Sequence, residues 1–370
     1  MSAVSRQKPP AAPPTALSAW EFAGLMVTYW CNAKCAFCYV YSGPDRGGEL
    51  SRDDAVALWS GLDRHAASHG KIMRIHLAGG EPFGDWVQLI AIVRAARDAG
   101  LTRLEKVETN AAWASEDGLT RARLEHLDAL GMEKLIISAD VYHQEFVPFE
   151  RVERLVAIAR QVLGPSRVRV RWWEFLESPR IARRATDAEK RQQFEAALLR
   201  HRDRMTGRAA DRLAPLLPRI PVEQLAELNC AKEMLDCKHV HIDPYGNVFP
   251  GVCAGIILGN AREQGIEAVW DKLAATWRDR PVVGALARGS SYALMQAAQM
   301  HGYEPLADGY VNKCHLCSHV RQFLFDRGIW REEVGPGEVY ANENEKREAA
   351  NWTRGLTLPV VQVGGLSIKD

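Results

Sequence analysis

Short apolar runs alternate with longer amphipathic segments from residue 22 to residue 175, and this alternation constrains the fold more than any other feature. The apolar runs predict five strands, at Gly24–Trp30, Ile72–Ala78, Leu104–Thr109, Lys134–Ala139 and Arg167–Trp173. Helices are expected between them, and Ser51 and Asp85 stand where two of these helices need N-caps. Strands separated in this way form right-handed βαβ units and a parallel sheet. Five strands, or six, are too few for a closed eight-stranded barrel, so the sequence predicts an α/β fold with a partial barrel.

Composition excludes several classes of protein. The chain has 370 residues, of which 47% are hydrophobic and 25% charged, so it is not wholly disordered. Its formal net charge of +1 gives no support for a nucleic-acid or membrane-surface partner. No apolar run approaches the ~18 residues of a membrane span. The Pro- and Ala-rich first 15 residues lack the apolar segment of a signal peptide, and a cytoplasmic protein is therefore expected.

The eight cysteines form two groups, and clustered cysteines in a reducing compartment more often bind metal than form disulfides. The first group is Cys31, Cys35 and Cys38, directly after the first predicted strand. Three thiolates with this spacing could hold three irons of a [4Fe–4S] cluster and leave the fourth iron open to a small molecule. Three cysteines and a water would also satisfy zinc.

Further polar or glycine-rich segments follow the next strands, and the carboxyl ends of parallel strands meet at one edge of a sheet. Gly79-Gly80-Glu81-Pro82 follows the second strand. Its glycines would let the backbone approach a ligand, and Glu81 offers a carboxylate to a cation, although the segment alone is equally typical of a tight turn. Asn110 and Ser138 end the third and fourth strands, where they are either ligand contacts or helix caps.

Together these segments resemble the radical S-adenosylmethionine (SAM) enzymes. That family's signature Cys-x3-Cys-x-aromatic-Cys is matched by Cys31, Cys35, Phe37 and Cys38, and its Gly-Gly-Glu-Pro motif by Gly79 to Pro82. The resemblance covers residues 20–178 and implies a (β/α)6 partial barrel with a SAM-binding [4Fe–4S] cluster. It implies that the segment Gly79, Gly80 and Glu81 takes the SAM amino group, that Phe37 lies beside the adenine, and that Asn110 and Ser138 face the ribose and carboxylate.

The resemblance also implies an activity. The cluster would receive an electron from a donor such as flavodoxin or ferredoxin and cleave SAM to a 5′-deoxyadenosyl radical, which removes a hydrogen atom from a substrate. The cofactors carry the chemistry, and the protein aims them and excludes water.

The second cysteine group contains a predicted β-hairpin, in which Asp-Pro-Tyr-Gly-Asn separates two short apolar runs between Cys237 and Cys253. Cys314 and Cys317 follow about sixty residues later. Zinc or a cluster would satisfy such a donor set. The segment resembles the SPASM and twitch domains of radical SAM enzymes, which implies an auxiliary [4Fe–4S] cluster held by Cys237, Cys253, Cys314 and Cys317 and used for electron transfer. The remaining Cys230 is an alternative ligand, a hydrogen-atom donor to a substrate radical, or a buried small residue.

Five residues are candidate substrate contacts. Arg169 and Arg171 alternate with valines, so they lie on one face of the fifth strand and either point into the barrel or meet solvent at a sheet edge. His76 shares a face of the second strand with Arg74, where it contacts substrate or is a buried histidine. Tyr142 and His143 follow the fourth strand at the expected barrel mouth.

The predicted organisation has five parts: a flexible tail (1–19), a radical SAM core (20–178), a helical linker (179–229), an auxiliary-cluster domain with a hairpin and helices (230–330) and a C-terminal extension (331–370). The predicted substrate is a ribosomally made peptide or a small biosynthetic intermediate. A peptide would be recognised through a separate leader-peptide-binding protein or without one. The alternatives are a zinc-binding interaction scaffold and a cluster-bearing electron-transfer relative.

Overall fold

The computed structural model describes residues 17–177, 183–201, 204–354 and 356. Within these ranges eight strands form one sheet. They are β1 (Phe22–Met26), β2 (Arg74–Ala78), β3 (Leu104–Thr109), β4 (Lys134–Ser138), β5 (Val168–Arg171), β6 (His239–Ile242), β7 (Asn247–Pro250) and β8 (Gly259–Asn260). The order across the sheet is β5-β4-β3-β2-β1-β6-β7-β8. Neighbours from β5 to β6 are parallel, whereas β6, β7 and β8 are antiparallel. The predicted α/β class is confirmed, with a mostly parallel and open sheet.

Helices occupy the intervals that the sequence predicts. They are α1 (Arg52–Ser68), α2 (Trp86–Asp98), α3 (Asp117–Ala129), α4 (Val141–Gln144), α5 (Phe149–Val162), α6 (Glu174–Glu177), α7 (Asp187–Arg200), α8 (Arg208–Arg212), α9 (Ala231–Leu235), α10 (Ala261–Gln264), α11 (Ile266–Thr276), α12 (Pro281–Gln299), α13 (Lys313–Asp326) and α14 (Glu343–Thr353). Short 3-10 helices lie at Pro82–Gly84, Pro165–Arg167, Ala214–Leu216, Val222–Leu225 and Gly337–Val339. Ser51 and Asp85 are the N-caps of α1 and α2, as predicted. No helix in the described ranges is both long and apolar enough to cross a membrane.

The two faces of the sheet differ in chemistry. Residues that pair in register point to the same side. One face is apolar and belongs to the main hydrophobic core: Ala23, Leu25, Ile75, Leu77, Val107, Leu135, Ile137, Val168, Val170, Val240 and Ile242. The other, which we call the polar face, carries Gly24, His76, Lys106, Glu108, Ser138, Arg169, Arg171, His239 and His241. The helices cover the first face, so the second is free to bind a ligand.

The sixth parallel strand follows the fifth along the chain but does not pair with it. It is β6, the first strand of the predicted hairpin, and it pairs with β1 through Ala23 and Val240. The hairpin near the second cysteine group therefore continues the same sheet that carries the first group. The first strand ends at Met26, four residues earlier than predicted, because Thr28 and Trp30 form only isolated bridges, with Glu49 and Gly43.

Candidate functional site

A cavity lies at the carboxyl ends of the parallel strands. The three thiols of Cys31, Cys35 and Cys38 line it, together with residues that follow or end four strands: Gly79, Gly80, Asn110, Ser138 and Arg171. The structure thus brings together the motif residues that the sequence places at separate strand ends. This convergence follows from parallel topology, because every strand presents its carboxyl end at the same edge.

The thiols of the first loop have the burial expected of a closed ligand set. Cys31 and Cys35 are 7% and 5% exposed, and Cys38 is half-buried. Burial, followed by the nearby charge of Glu81, raises the pKa of Cys31 to about 12. Burial likewise raises the pKa of Cys35 well above its usual range. Without a ligand the thiols of Cys31 and Cys35 would stay protonated, so their ionisation requires a bound cation.

Sulfur spacing distinguishes a cluster from a single ion. In the described residues, no three cysteine sulfurs of either group lie within 4.8 Å of one another. A tetrahedral zinc with Zn–S bonds of ~2.3 Å would hold its sulfurs about 3.8 Å apart. In a [4Fe–4S] cluster each thiolate binds a different iron, so the sulfurs stand farther apart. The described thiols therefore lack the close spacing that a single zinc ion requires.

The glycine loop is shaped by the chain's own backbone. Gly79 has a φ of +133°, which favours glycine. A Cβ at Gly80 would clash with the carbonyl oxygen of Trp30. The amide of Gly80 donates to Thr28 O at 2.7 Å, and the amide of Glu81 donates to Trp30 O at 2.9 Å. The glycines thus allow this loop to pair with the segment that leads into Cys31.

Glu81 ties two strand ends together instead of facing the cavity. Its buried carboxylate accepts hydrogen bonds from the Phe83 amide (3.1 Å), the Thr109 hydroxyl (2.8 Å) and the Asn110 amide (2.7 Å). Burial raises its pKa to about 7, against the opposing effect of these three donors. The carboxylate is absent from the cavity lining, so the expectation that it is offered to a cation needs correction. Only Gly79 and Gly80 of this segment reach the cavity.

Asn110 contacts the cysteine loop directly. Its Nδ2 lies 3.6 Å from Cys31 Sγ and donates to Asn32 Oδ1 at 2.9 Å. Asn110 therefore holds the first cysteine in place in addition to lining the cavity, while Ser138 lines it from the end of β4.

An aromatic and charged wall surrounds Phe37. Its ring centroid lies 5.2 Å from that of His143, and the Arg171 guanidinium lies 5.2 Å from its centre. His143 Nδ1 contacts the buried Asp140 carboxylate at 2.8 Å. Burial by itself raises the pKa of Asp140, but His143 and Arg171 hold it below the usual range. All of these residues except Asp140 line the cavity.

Tyr142 lies behind the cavity wall. It is fully buried, it stacks against Phe37 from behind with centroids 5.3 Å apart, and it packs against Phe194. It supports Phe37 and does not line the cavity.

His76 also lies away from the cysteine cavity. It is buried on the polar face among His239 and His241. Burial, before any other cause, lowers the pKa of all three, to about 2 for His239 and about 4 for His241. Of the two alternatives that the sequence leaves open for His76, its burial favours the buried histidine.

The sequence left two alternatives for the two arginines of β5, the inside of the barrel and a sheet edge that meets solvent. The structure has features of both. β5 is an edge strand of the sheet, and Arg169 and Arg171 are on its polar face. They line a groove with Lys106 and Glu108, and Glu108 and Arg171 also line the cysteine cavity. The groove and the cavity are therefore adjacent.

Arg208 stands behind the cysteine loop and was not predicted. It is 3% exposed, and its guanidinium donates to Cys35 O (3.2 Å), Ser42 O (2.9 Å) and Glu345 Oε1 (3.0 Å). Its own amide donates to Cys38 O at 2.9 Å. Arg208 and Glu345 come from the predicted linker and the C-terminal extension, where no motif marks them.

Cys230 lies near other cysteines of the second group. Burial and then repulsion from neighbouring thiols raise the pKa of Cys253 to about 12 and that of Cys314 to about 11, and Cys317 contributes to both. Burial also raises the pKa of Cys230, with Cys317 and Cys253 among the further causes.

Cys237 has a different environment. Its thiol donates to His239 O at 2.7 Å, and burial is the main cause that raises its pKa. Its sulfur would also lie 3.3 Å from a Cβ at Gly251, in the loop that leads to Cys253. Cys230 is also absent from the lining of the first cavity, which does not favour its role as a hydrogen-atom donor.

No protein-family profile matches the sequence, and no curated protein does. Among solved structures, BtrN in complex with AdoMet and 2-DOIA is 19% identical, with 74% of this chain and 89% of that chain covered and a TM-score of 0.41. Native anSMEcpe with bound AdoMet and Cp18Cys peptide is 12% identical, with 90% and 99% covered and a TM-score of 0.39. Native anSMEcpe with bound AdoMet is 12% identical, with 83% and 98% covered and a TM-score of 0.41. All three contain AdoMet.

Proposed function

We propose that this chain is a radical SAM enzyme, with a [4Fe–4S] cluster on Cys31, Cys35 and Cys38 and SAM in the adjoining cavity. The observation that carries the proposal is the convergence of the three thiols with the glycine loop and the ends of β3, β4 and β5 in one cavity. A single zinc ion does not explain this convergence, since the loop sulfurs are too far apart and the cavity extends well beyond them.

When bound, the cluster and SAM would supply an electron and a carbon radical able to remove a hydrogen atom from a substrate. The chain's residues bind and orient these groups. The backbone of Gly79 and Gly80 borders the cavity, the flat ring of Phe37 offers a stacking surface for adenine, and Asn110 and Ser138 offer polar atoms. The pairing of His143 with Asp140 holds the imidazole at a defined position in the same wall.

We extend the proposal to a substrate that carries a carboxylate or phosphate, whether a small molecule or a peptide. Lys106, Arg169 and Arg171 line the groove that adjoins the cavity and outnumber its acidic residue, Glu108. Guanidinium groups bind carboxylates and phosphates through paired hydrogen bonds. A flavodoxin- or ferredoxin-like electron donor, and for a peptide substrate a separate leader-peptide-binding protein, belong to the same proposal.

The second cysteine group would hold an auxiliary [4Fe–4S] cluster on Cys230, Cys253, Cys314 and Cys317. Four thiolates leave no open iron, so electron transfer is its proposed role. The guanidinium of Arg321 donates to Cys317 Sγ at 3.4 Å, which favours the thiolate form.

Iron and sulfide content after anaerobic reconstitution tests the proposal. We expect about eight irons in the wild type and about four in a Cys31→Ala/Cys35→Ala/Cys38→Ala variant, one cluster per group. SAM cleavage to 5′-deoxyadenosine under reduction should be lost in the triple variant and retained in Cys314→Ser/Cys317→Ser. Zinc in place of iron in the wild type, or cleavage that survives the triple variant, would refute the radical mechanism.

A further inference from the structure

Three histidine side chains meet over a glycine in the middle of the sheet. β1 lies between β2 and β6, and Gly24 pairs in register with His76 on one side and His241 on the other. His239, two residues before His241, pairs with Phe22. His76 and His241 are buried, and His239 is half-buried. None of the three histidines lines the cysteine cavity, and the cluster is not part of the proposed radical SAM site.

The ring nitrogens point toward a common centre. One nitrogen from each of the three residues lies within 4.8 Å of the others, and His76 Nε2 is 3.1 Å from His239 Nε2. A Cβ at Gly24 would stand 2.5 Å from His76 Nε2 and 2.7 Å from His241 Nε2. The missing side chain at position 24 thus lets the imidazole rings of His76 and His241 close over β1.

The outer nitrogens are placed as in metal-binding histidines. His241 Nδ1 is 2.6 Å from Gly251 O, and a carbonyl can only accept, so Nδ1 carries the proton and Nε2 presents a lone pair to the centre. His76 Nδ1 faces Glu108 Oε1 at 3.4 Å, and Lys106 Nζ holds that oxygen at 2.9 Å. A carbonyl behind His241 and a carboxylate near His76 are the usual kinds of support for histidine metal ligands.

We propose that His76, His239 and His241 bind a divalent transition-metal ion, with zinc as the ion of reference and one coordination position open. Zn–N bonds of ~2.0–2.1 Å in a tetrahedral site place ligand nitrogens about 3.3 Å apart, close to the 3.1 Å between His76 and His239. Three imidazoles without a carboxylate ligand favour zinc, copper, iron or nickel over calcium or magnesium.

The competing explanation is a metal-free hydrogen bond. In that case a single proton is shared between His76 Nε2 and His239 Nε2, and His241 only packs against them. The two explanations differ in metal uptake and in the atoms around the metal.

The experiment uses the full chain after reconstitution with iron and sulfide, so that the cysteines are occupied. One equivalent of Zn²⁺ is added, unbound metal is removed, and metal content and zinc K-edge X-ray absorption are measured. We expect about one bound zinc with nitrogen neighbours at ~2.0–2.1 Å and no sulfur at ~2.3 Å. No uptake, or a zinc–sulfur shell, overturns the proposal.

Variants locate the ion. His239→Ala should lower zinc affinity at least about tenfold and leave iron content unchanged. The control is His126→Ala, on α3, which should retain the zinc. Gly24→Ala is a second test, because its Cβ would push aside the rings of His76 and His241 while all three ligands remain. The proposal is overturned if either His239→Ala or Gly24→Ala keeps its iron and still binds zinc with wild-type affinity. If the wild type loses iron as it takes up zinc, the zinc has replaced iron at the cysteines. That is the zinc–sulfur outcome, which overturns the proposal.

Discussion

At the scale of single residues, the glycine loop shows how one missing side chain shapes the cavity. Gly80 packs against the carbonyl of Trp30, at the entrance to the loop that carries Cys31. The space that glycine provides here is filled by the protein's own backbone. The loop beside the thiols therefore depends on contact with another strand end as well as on its own turn.

We predict that Gly80→Ala lowers the free energy of unfolding by about 1–3 kcal/mol or more, because the new methyl group meets backbone that cannot rotate away. Urea denaturation measures the change, and iron content should fall as well. Gly118→Ala on α3 is the matched control, since nothing lies within 4 Å of its Cβ. Equal stability of the two variants would contradict the clash.

A second residue-scale prediction concerns the auxiliary ligands. Cys230→Ser should lose about four irons, whereas Cys237→Ser should keep them, because the Cys237 thiol is turned to His239 O. Iron analysis on both variants decides the matter. Iron loss in Cys237→Ser but not in Cys230→Ser would contradict the prediction and support Cys237 as the fourth ligand.

At the scale of elements, β1 is the centre of the molecule. It joins β2, which leads to the glycine loop, to β6, which leads to the second cysteine group. The start of this strand is anchored by α1, because the Trp20 amide donates to His65 Nε2 at 3.2 Å. A helix and the central strand are thus joined by a buried neutral imidazole.

The stability of this contact should depend on pH. Burial, and next the charge of His69, lowers the pKa of His65 to about 4. The unfolded chain therefore binds more protons than the folded chain between pH ~6.5 and ~4, so this contribution is present above pH ~6.5 and is lost as the pH falls through that window. We predict that His65→Gln reduces the loss of stability between pH 7 and pH 5, measured by urea midpoints. His126→Gln is the control, and an unchanged pH dependence in His65→Gln would refute the prediction.

At the scale of the whole molecule, three distant segments meet behind the first cysteine loop. Glu345 of α14 contacts both Arg208 of α8 and Arg46, and all three side chains are buried. Gly207 makes this approach possible, since a Cβ there would lie 2.6 Å from Cys38 O. The segments on either side of the second cysteine group therefore form the back wall of the first cavity.

This network should tune the proposed cluster. A buried positive charge favours the reduced, more negative state, and a buried negative charge opposes it. We predict that Arg208→Met lowers the midpoint potential of the cluster on Cys31, Cys35 and Cys38, and that Glu345→Gln raises it. Redox titration measures both shifts.

The exposed Glu343→Gln on the same helix is the control and should leave the potential unchanged. Shifts of the same sign in Arg208→Met and Glu345→Gln would contradict an electrostatic cause. Breaking a buried ion pair also destabilises proteins by about 3–5 kcal/mol, so iron content must be checked in each variant.

Local pattern was enough to predict the strands, the caps at Ser51 and Asp85 and the thiol loop, because each depends on neighbours a few residues away. It also predicted that the thiols, the glycine loop, Asn110 and Ser138 would meet, since parallel strands present their carboxyl ends at one edge. It could not place Tyr142 behind Phe37, because the direction of a side chain after a strand depends on what packs there.

The sequence by itself thus determined the α/β sheet and the residues that gather at its carboxyl edge. Only the tertiary structure decided that β6 pairs with β1, that three histidines meet over Gly24, and that Arg208 and Glu345 stand behind the first cysteine loop. The physical reason is sequence separation: these contacts join residues that are mostly far apart along the chain, through packing that no local period records.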